Sequence, residues 1–149
     1  IEFEDETMTM NGKCTCGRVQ YEIHGTRQDL AYCHCSVCRR TLGAAFGTYA
    51  RVVAEKFTWV AGEKSVQAYE SSPSVYRCAC GSCGSPLGAR AEDGSLSWVT
   101  LGTVSGDPGV RPAAHLFVGS KAPWYEITDD LPQFDEWPPE SSVFFAQFW

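Results

Sequence analysis

Short stretches that alternate apolar and polar residues are the main regular pattern of this chain. Between Arg18 and His24 every second residue is apolar, and the stretch ends at Gly25, as is typical of a half-buried β-strand. The polar run from Glu92 to Ser95 predicts a hairpin turn between two further strands. The other predicted strands are Phe57 to Ala61, Val66 to Tyr69, Val75 to Cys78, Leu87 to Ala91, Leu96 to Leu101 and His115 to Val118.

Helical periodicity is weak by comparison. The segment from Ser36 to Leu42 predicts one or two helical turns, and Asp129 to Pro132 predicts another short turn. Six prolines after residue 107 divide the last third of the chain into short pieces. We therefore predict a mainly β fold in a single domain, residues 12–134, with no internal repeat and no linker that would divide it.

The two ends of the chain differ from this domain in composition. Residues 1–11 are an acidic extension without an apolar signal segment, so we expect a cytoplasmic protein. The first three residues are typical of a vector remnant, with Met8 or Met10 as the natural start. We expect the tail, residues 135–149, to cover the chain's own sheet, with a homodimer contact or a lid over the site as alternatives. Its aromatic residues are Trp137, Phe144, Phe145, Phe148 and Trp149.

Composition and charge exclude two classes of partner. The 149 residues are 44% hydrophobic and 20% charged, an ordinary globular balance. No apolar run approaches the roughly 18 residues that span a bilayer, so no membrane association is expected. The formal net charge is −6, and the pair Arg39-Arg40 is the main basic cluster. Because a nucleic-acid partner usually demands a basic surface, we do not expect nucleic-acid binding.

Eight cysteines change this picture, because in a reducing compartment clustered cysteines bind metal more often than they form disulfides. Cys80 and Cys83 are separated by two residues, with glycines at positions 81 and 84, which is typical of a turn that holds zinc. Cys14 and Cys16 would lie on the same face of an extended chain and supply two more ligands. These four cysteines predict a closed, structural zinc site that ties two distant parts of the chain together.

A second group, Cys33, Cys35 and Cys38, offers three thiolates within six residues. Three protein ligands with a vacant fourth position are typical of a catalytic zinc. Since zinc with three thiolates has a net charge of −1, the site favours binding and activating a thiol over hydrolysis. Two alternatives stay open: Cys78 closes the site as a fourth ligand, or the site holds no metal.

The histidines are ambiguous from sequence alone. If Cys33 and Cys35 face a metal, His34 between them faces away, and we expect it to lie beside the ligands or at the surface. His115 lies in an apolar segment, where a core histidine and a proton-handling residue near the metal are the two interpretations.

Basic and aromatic residues near the cysteines are further candidates. Arg39 and Arg40 directly follow Cys38, so either one is a candidate to pair with a substrate carboxylate or balance the thiolate charge. A solvated pair is the alternative. Lys121 and Trp124 either line a pocket or pack in a turn.

Taken together, the motifs of this chain resemble those of the glutathione-dependent formaldehyde-activating enzyme family, which includes the centromere protein V group. The resemblance covers roughly residues 12–134. It rests on Cys14-x-Cys16-Gly17, Cys33-His34-Cys35-x-x-Cys38-Arg39, Gly43-Ala44-x-Phe46, Cys80-x-x-Cys83-Gly84, Pro112-x-x-His115, Lys121-x-x-Trp124 and Asp130-Leu131-Pro132.

This resemblance implies a β-tent fold of antiparallel sheets and two zinc ions per chain. The structural zinc would lie at Cys14, Cys16, Cys80 and Cys83, and the second at Cys33, Cys35 and Cys38. It also implies addition of the glutathione thiol to formaldehyde, giving S-hydroxymethylglutathione, which is carbon–sulfur lyase chemistry in reverse. The extra Cys78 and the Arg39-Arg40 pair depart from the family pattern and put glutathione itself in question.

Three hypotheses follow for function. In the first, the chain is an enzyme. Its second zinc, held by Cys33, Cys35 and Cys38, activates a small thiol, glutathione or similar, toward a small aldehyde, and Arg39 or Arg40 orients a carboxylate. The alternative is a non-catalytic module with two structural four-cysteine zinc sites. Chromatin association, the third, follows from the centromere relatives, and the acidic charge argues against it.

Overall fold

The computed structural model of the protein describes residues 9–25 and 30–139. The predictions for the first three residues and for the aromatic residues after position 139 therefore lie outside the described residues. Within that part, eleven strands and one α-helix form the regular structure. The strands are β1 Thr9–Lys13, β2 Gln20–His24, β3 Leu30–Cys33, β4 Gly47–Arg51, β5 Phe57–Ala61, β6 Val66–Ser72, β7 Val75–Cys80, β8 Pro86–Arg90, β9 Leu96–Thr100, β10 Val104–Ser105 and β11 His115–Leu116, and helix α1 is Ser36–Leu42.

The strands form two sheets. The smaller has the order β10-β1-β2-β5 and is antiparallel throughout. The larger has the order β11-β3-β4-β9-β8-β7-β6, and only its edge strand β11 runs parallel to its neighbour β3. The prediction of a mainly β fold with antiparallel sheets is confirmed, with this one parallel pair added.

The main hydrophobic core combines residues of both sheets. In β2 the predicted alternation is observed, because Tyr21 and Ile23 are buried and Gln20 is exposed. Leu87 and Val99 from the larger sheet belong to the same buried cluster. Full burial of one such aliphatic side chain stabilises a fold by about 1.5–3 kcal/mol.

Gly12 allows one close contact within the smaller sheet. It lies opposite Tyr21 in the register of β1 and β2, and a Cβ atom at this position would lie 2.1 Å from the Tyr21 ring. The Tyr21 ring therefore packs over β1 in the space that a side chain at position 12 would occupy. Its hydroxyl meets Thr103 Oγ1 at 2.7 Å, and burial raises the pKa of Tyr21 to about 12.

The strand predicted from His115 to Val118 is wrong in its second half. It ends at Leu116 because Phe117 has a left-handed φ of 58°, after which the chain makes a 3₁₀ turn. The segment 132–136 runs beside β11 and bonds to it through the amide of His115, which donates to the Pro132 carbonyl at 2.9 Å. No helix in residues 9–25 or 30–139 has the length and apolar character that crossing a membrane requires.

Candidate metal centres and the adjoining cavity

The four-cysteine cluster brings together Cys14, Cys16, Cys80 and Cys83, whose sulfurs all lie within 4.8 Å of one another. The Cys14 and Cys16 sulfurs are 3.6 Å apart, and those of Cys16 and Cys80 are 3.9 Å apart. Four sulfurs at about 2.3 Å from a tetrahedral zinc are separated by roughly 3.8 Å. The donors therefore fit a zinc ion with four thiolates and no free position.

Two turns with left-handed glycines present these sulfurs. Gly17 and Gly84 have φ values of 78° and 82°, a conformation that costs glycine little. Each turn folds back on itself, because the Gly17 amide donates to the Cys14 carbonyl at 3.1 Å and the Gly84 amide to the Cys80 carbonyl at 2.8 Å. The Val19 amide also donates to Cys14 Sγ at 3.3 Å, a bond that favours the thiolate.

Ser85 joins the two turns. Its hydroxyl accepts from the Thr15 amide at 2.8 Å and lies 3.2 Å from Cys83 Sγ. Hydrogen bonding to Ser85 lowers the pKa of Cys83 to about 5. The first cysteine of each turn is buried and the second is exposed. The cluster thus anchors both turns to the core while its outer half faces solvent.

The three-cysteine cluster, Cys33, Cys35 and Cys38, forms where β3 passes into α1, and its sulfurs also lie within 4.8 Å of one another. Cys35 is the N-cap of α1, in an extended conformation, and its Sγ accepts from the Cys38 amide at 3.3 Å. Gly43, which has a left-handed φ of 61°, caps the C-terminal end of the helix. The helix predicted from Ser36 to Leu42 is confirmed.

Because the three thiols lie close together, their pKa values shift in different directions. Hydrogen bonds from Cys33 and Cys38 lower the pKa of Cys35 to about 2, while the pKa of Cys33 is raised by its bonds to Cys35 and Cys38. Three sulfurs this close ionise together only when a cation offsets their charge. Three soft donors with a fourth tetrahedral position left over fit a thiophilic ion such as zinc.

Cys78 does not join this group. Its side chain is buried in the main core with Cys80, and its Sγ lies 3.8 Å from the Tyr76 carbonyl oxygen. Burial raises the pKa of Cys78. The alternative in which Cys78 completes a second four-cysteine site is therefore not supported by the geometry.

A cavity of about 480 Å³ adjoins the three-cysteine cluster, and all three cysteines line it. This volume is within the range of small-molecule binding sites. Apart from the cysteines, its lining is mainly apolar and aromatic. The larger side chains are Val37, Val75, Trp98, Leu116, Phe117 and Trp137, with Tyr49, Ser72 and Arg77 as polar members.

Arg77, on β7, is held by three contacts at this cavity. Its Nη1 donates to the Tyr49 hydroxyl at 3.2 Å and its Nε to Ser71 Oγ at 3.1 Å. Its Nη2 donates to Cys38 Sγ at 3.8 Å, which brings a permanent positive charge to the cluster. Sequence reasoning did not single out Arg77, because only the strand order of the larger sheet brings β7 toward the cluster.

A hydrogen-bonded chain runs from beside the cluster to the surface. His34 is fully buried, its Nε2 is 2.8 Å from His115 Nδ1, and His115 Nε2 is 3.0 Å and 3.1 Å from the two carboxylate oxygens of Asp129. An ionised carboxylate only accepts, so the His115 tautomer that fits both contacts donates from Nε2 to Asp129 and accepts from His34 at Nδ1. Burial, with His115 beside it, lowers the pKa of His34 to about 4, which keeps this imidazole neutral at pH 7.

With this geometry established, comparison with known proteins is informative. Residues 9–120 match the family model described as glutathione-dependent formaldehyde-activating enzyme. The chain belongs to this family. A crystal structure of a protein from Rhodobacter sphaeroides is 24% identical, with a TM-score of 0.52 over 66% of this chain and 90% of that chain, and it supports the fold. No curated protein matches the chain.

Other residues of the family-like motifs take supporting positions. Arg39 Nε donates to the His34 carbonyl at 3.3 Å, Arg40 is exposed, and neither is among the described residues that line the cavity. Lys121 Nζ donates to the carbonyls of Ala122 and Tyr125, so it fixes a turn. Trp124 is 72% exposed. The roles predicted for the two arginines remain predictions.

Proposed function

We propose that this protein is a zinc-dependent enzyme of the carbon–sulfur lyase type that adds a small thiol to formaldehyde or another small aldehyde. The observation that carries this proposal is the three-cysteine cluster, which lines a cavity and leaves one tetrahedral position for a ligand. Membership in the glutathione-dependent formaldehyde-activating enzyme family supports the same reaction class.

When bound at this cluster, zinc would supply an acidic fourth position that lowers the pKa of a thiol, while three thiolate ligands keep that sulfur electron-rich. In the reaction, the thiol gives up its proton and its sulfur attacks the carbonyl carbon. A carbon–sulfur bond forms, and the carbonyl π electron pair moves to oxygen, which takes a proton. The product is a hemithioacetal, and the step requires no oxidant or reductant.

The residues of the chain would have separate roles in metal binding and substrate orientation. Cys33, Cys35 and Cys38 would hold the catalytic metal, and Arg39, which directly follows Cys38, would orient a substrate carboxylate. Through its bond to the His34 carbonyl, Arg39 also braces the backbone between two of the ligands. The four-cysteine cluster would hold a second, structural zinc. No disulfide joins any of the eight cysteines, and we therefore propose the reducing cytoplasm as the compartment.

The test compares two cysteine variants in an assay of hemithioacetal formation from glutathione and formaldehyde. Cys35→Ser is expected to reduce the enzymatic rate to the uncatalysed background while far-ultraviolet circular dichroism stays unchanged. Cys78→Ala is the matched control, since Cys78 is buried but lies outside both clusters. It is expected to keep both zinc ions and the rate.

Either of two results would contradict the proposal. A Cys35→Ser protein as active as wild type would show that the three-cysteine cluster is not the catalytic centre. Wild-type protein with two bound metal ions and no rate above background, with any small thiol and aldehyde tried, would show that the protein is not this kind of enzyme.

A further inference from the structure

The lining of the cavity restricts which thiol the site accepts. Val75, Leu116, Phe117 and Trp137 contribute alkyl and ring surface to the cavity that the three cysteines also line. Phe117 and Trp137 meet edge to face, with ring centroids 5.2 Å apart, and form an aromatic wall. Such a surface favours a ligand that has an apolar body.

Charge on the lining is limited to one cation apart from the cysteines. Arg77 supplies it, and no carboxylate lines the cavity among the described residues. Described contacts engage three of the five N–H groups of the guanidinium, those to Ser71, Tyr49 and Cys38. The remaining N–H groups suit one anionic atom or group next to the cluster.

Glutathione is poorly matched to this lining. It has two carboxylates, one ammonium group and two amides, and polar groups that enter an apolar cavity without partners weaken binding. Arg77 can receive one of the anionic groups. The described lining offers no acidic side chain for the ammonium, and Ser72 and Tyr49 are the hydroxyl-bearing side chains that it offers to the two amides.

We infer that the substrate thiol of this site is a small molecule with an apolar, ring-sized body, without an ammonium group or a second carboxylate, and that Arg77 faces its sulfur. This inference rests on the proposed function and narrows its substrate class. It also assigns to Arg77 the role of stabilising the developing thiolate.

The experiment is a thiol titration of the full chain with cobalt in place of zinc, followed by the visible absorption bands of the metal. The probes are phenylmethanethiol, which has an apolar ring, glutathione, and 2-mercaptoethanol, which is small and uncharged. All three are expected to shift the bands. The midpoint concentration for phenylmethanethiol is expected to be at least tenfold lower than that for glutathione.

Two variants locate the preference in the cavity. Val75→Asn places an amide on the lining, so the preference for phenylmethanethiol over glutathione is expected to fall at least threefold, and Val75→Thr is the milder version if the first folds poorly. Val60→Asn, at an exposed position outside this cavity, is the matched control and is expected to keep the preference. Arg77→Met is expected to weaken all three thiols, with recovery in Arg77→Lys.

The two proposals fail in different ways. If glutathione binds as tightly as phenylmethanethiol or more tightly, the inferred substrate class is overturned while the proposed function stands. If none of the three thiols shifts the cobalt bands, the proposed function fails, and this inference fails with it. If Arg77→Met binds all three thiols as wild type does, the role inferred for Arg77 is overturned.

Discussion

The two cysteine clusters use the same donor atoms for different purposes. The four-cysteine cluster joins turns that are far apart in sequence, since Cys16 and Cys80 are 64 residues apart. It connects the β1–β2 turn of the smaller sheet to the β7–β8 turn of the larger one. The three-cysteine cluster is local, because β3, the N-cap residue Cys35 and α1 supply all its ligands within six residues.

This difference indicates that the four-cysteine cluster contributes more to the stability of the fold than the three-cysteine cluster does. Ligands that are far apart in sequence meet only in the folded chain, so the free energy of metal binding stabilises the fold, whereas ligands within six residues can bind the metal after unfolding as well. The surroundings of the two clusters also differ. The four-cysteine cluster lies between two turns and has two exposed cysteines, while the three-cysteine cluster lines a cavity that Arg77 also lines.

The largest effect is expected from removing a ligand of the four-cysteine cluster. Cys80→Ser should release the structural metal and reduce the free energy of unfolding by roughly 3 kcal/mol or more, because binding of a structural zinc is coupled to folding. Thermal unfolding and zinc content measured on the same sample check this. Cys78→Ala, two residues earlier on β7, should lose far less stability and no metal. If Cys80→Ser melts like wild type, this cluster is not structural.

The second prediction concerns the same substitution at the other cluster. Cys35→Ser should lose one metal ion per chain but change the free energy of unfolding by only about 1 kcal/mol, since its ligands are local and its helix is short. Zinc analysis and denaturant unfolding together test this. A loss of stability as large as that of Cys80→Ser would remove the contrast between the clusters.

The cysteine groups could be predicted from sequence because one or two residues separate neighbouring cysteines within each group, a spacing typical of metal ligands. Sequence reasoning also predicted β5 and α1 with the bounds that the structure shows. It missed β1 because residues such as Asn11 and Gly12 disfavour strands, and here packing against Tyr21 overrides that preference. It missed β4 because both faces are partly buried, which removes the period of two.

The surroundings of the site were harder to predict. Arg77 is 39 residues from Cys38, and its contact depends on the order and register of the five strands from β3 to β7 rather than on any motif. Asp129 bonds to His115 across 14 residues of irregular chain. In both cases the partner is chosen by tertiary placement, which periodicity does not encode.

The third prediction concerns the contact between Tyr21 and β1, the strand that leads into Cys14. Gly12→Ala should push the Tyr21 ring away from β1 and reduce the free energy of unfolding by about 1–3 kcal/mol. Chemical denaturation measures this. Gly102→Ala is the matched control, because its Cβ would meet open space. Equal stability of the two variants would show that the contact between β1 and Tyr21 is unimportant.

The smallest effect is expected at the outer end of the histidine chain. Asp129→Ala removes the acceptor that fixes the proton on His115 Nε2, so the bond from His34 loses its preferred partner. Because the Asp129 side chain is 45% exposed and solvent screens its interaction, the loss of unfolding free energy should be smaller than for the three preceding variants. Asp129→Asn keeps an acceptor oxygen and should recover most of it.

The pH dependence of this small effect decides whether the carboxylate acts as an acceptor. The Leu131 amide and the His115 bond hold the pKa of Asp129 below its ordinary value. A depressed carboxyl pKa contributes stability that is complete above the ordinary value, about 3.9, and is lost as the pH falls through the lowered pKa. The difference between wild type and Asp129→Ala should therefore stay constant from pH 8 to pH 5 in thermal unfolding with zinc present. A difference that disappears within that range would show that another group, and not the Asp129 carboxylate, titrates in the chain.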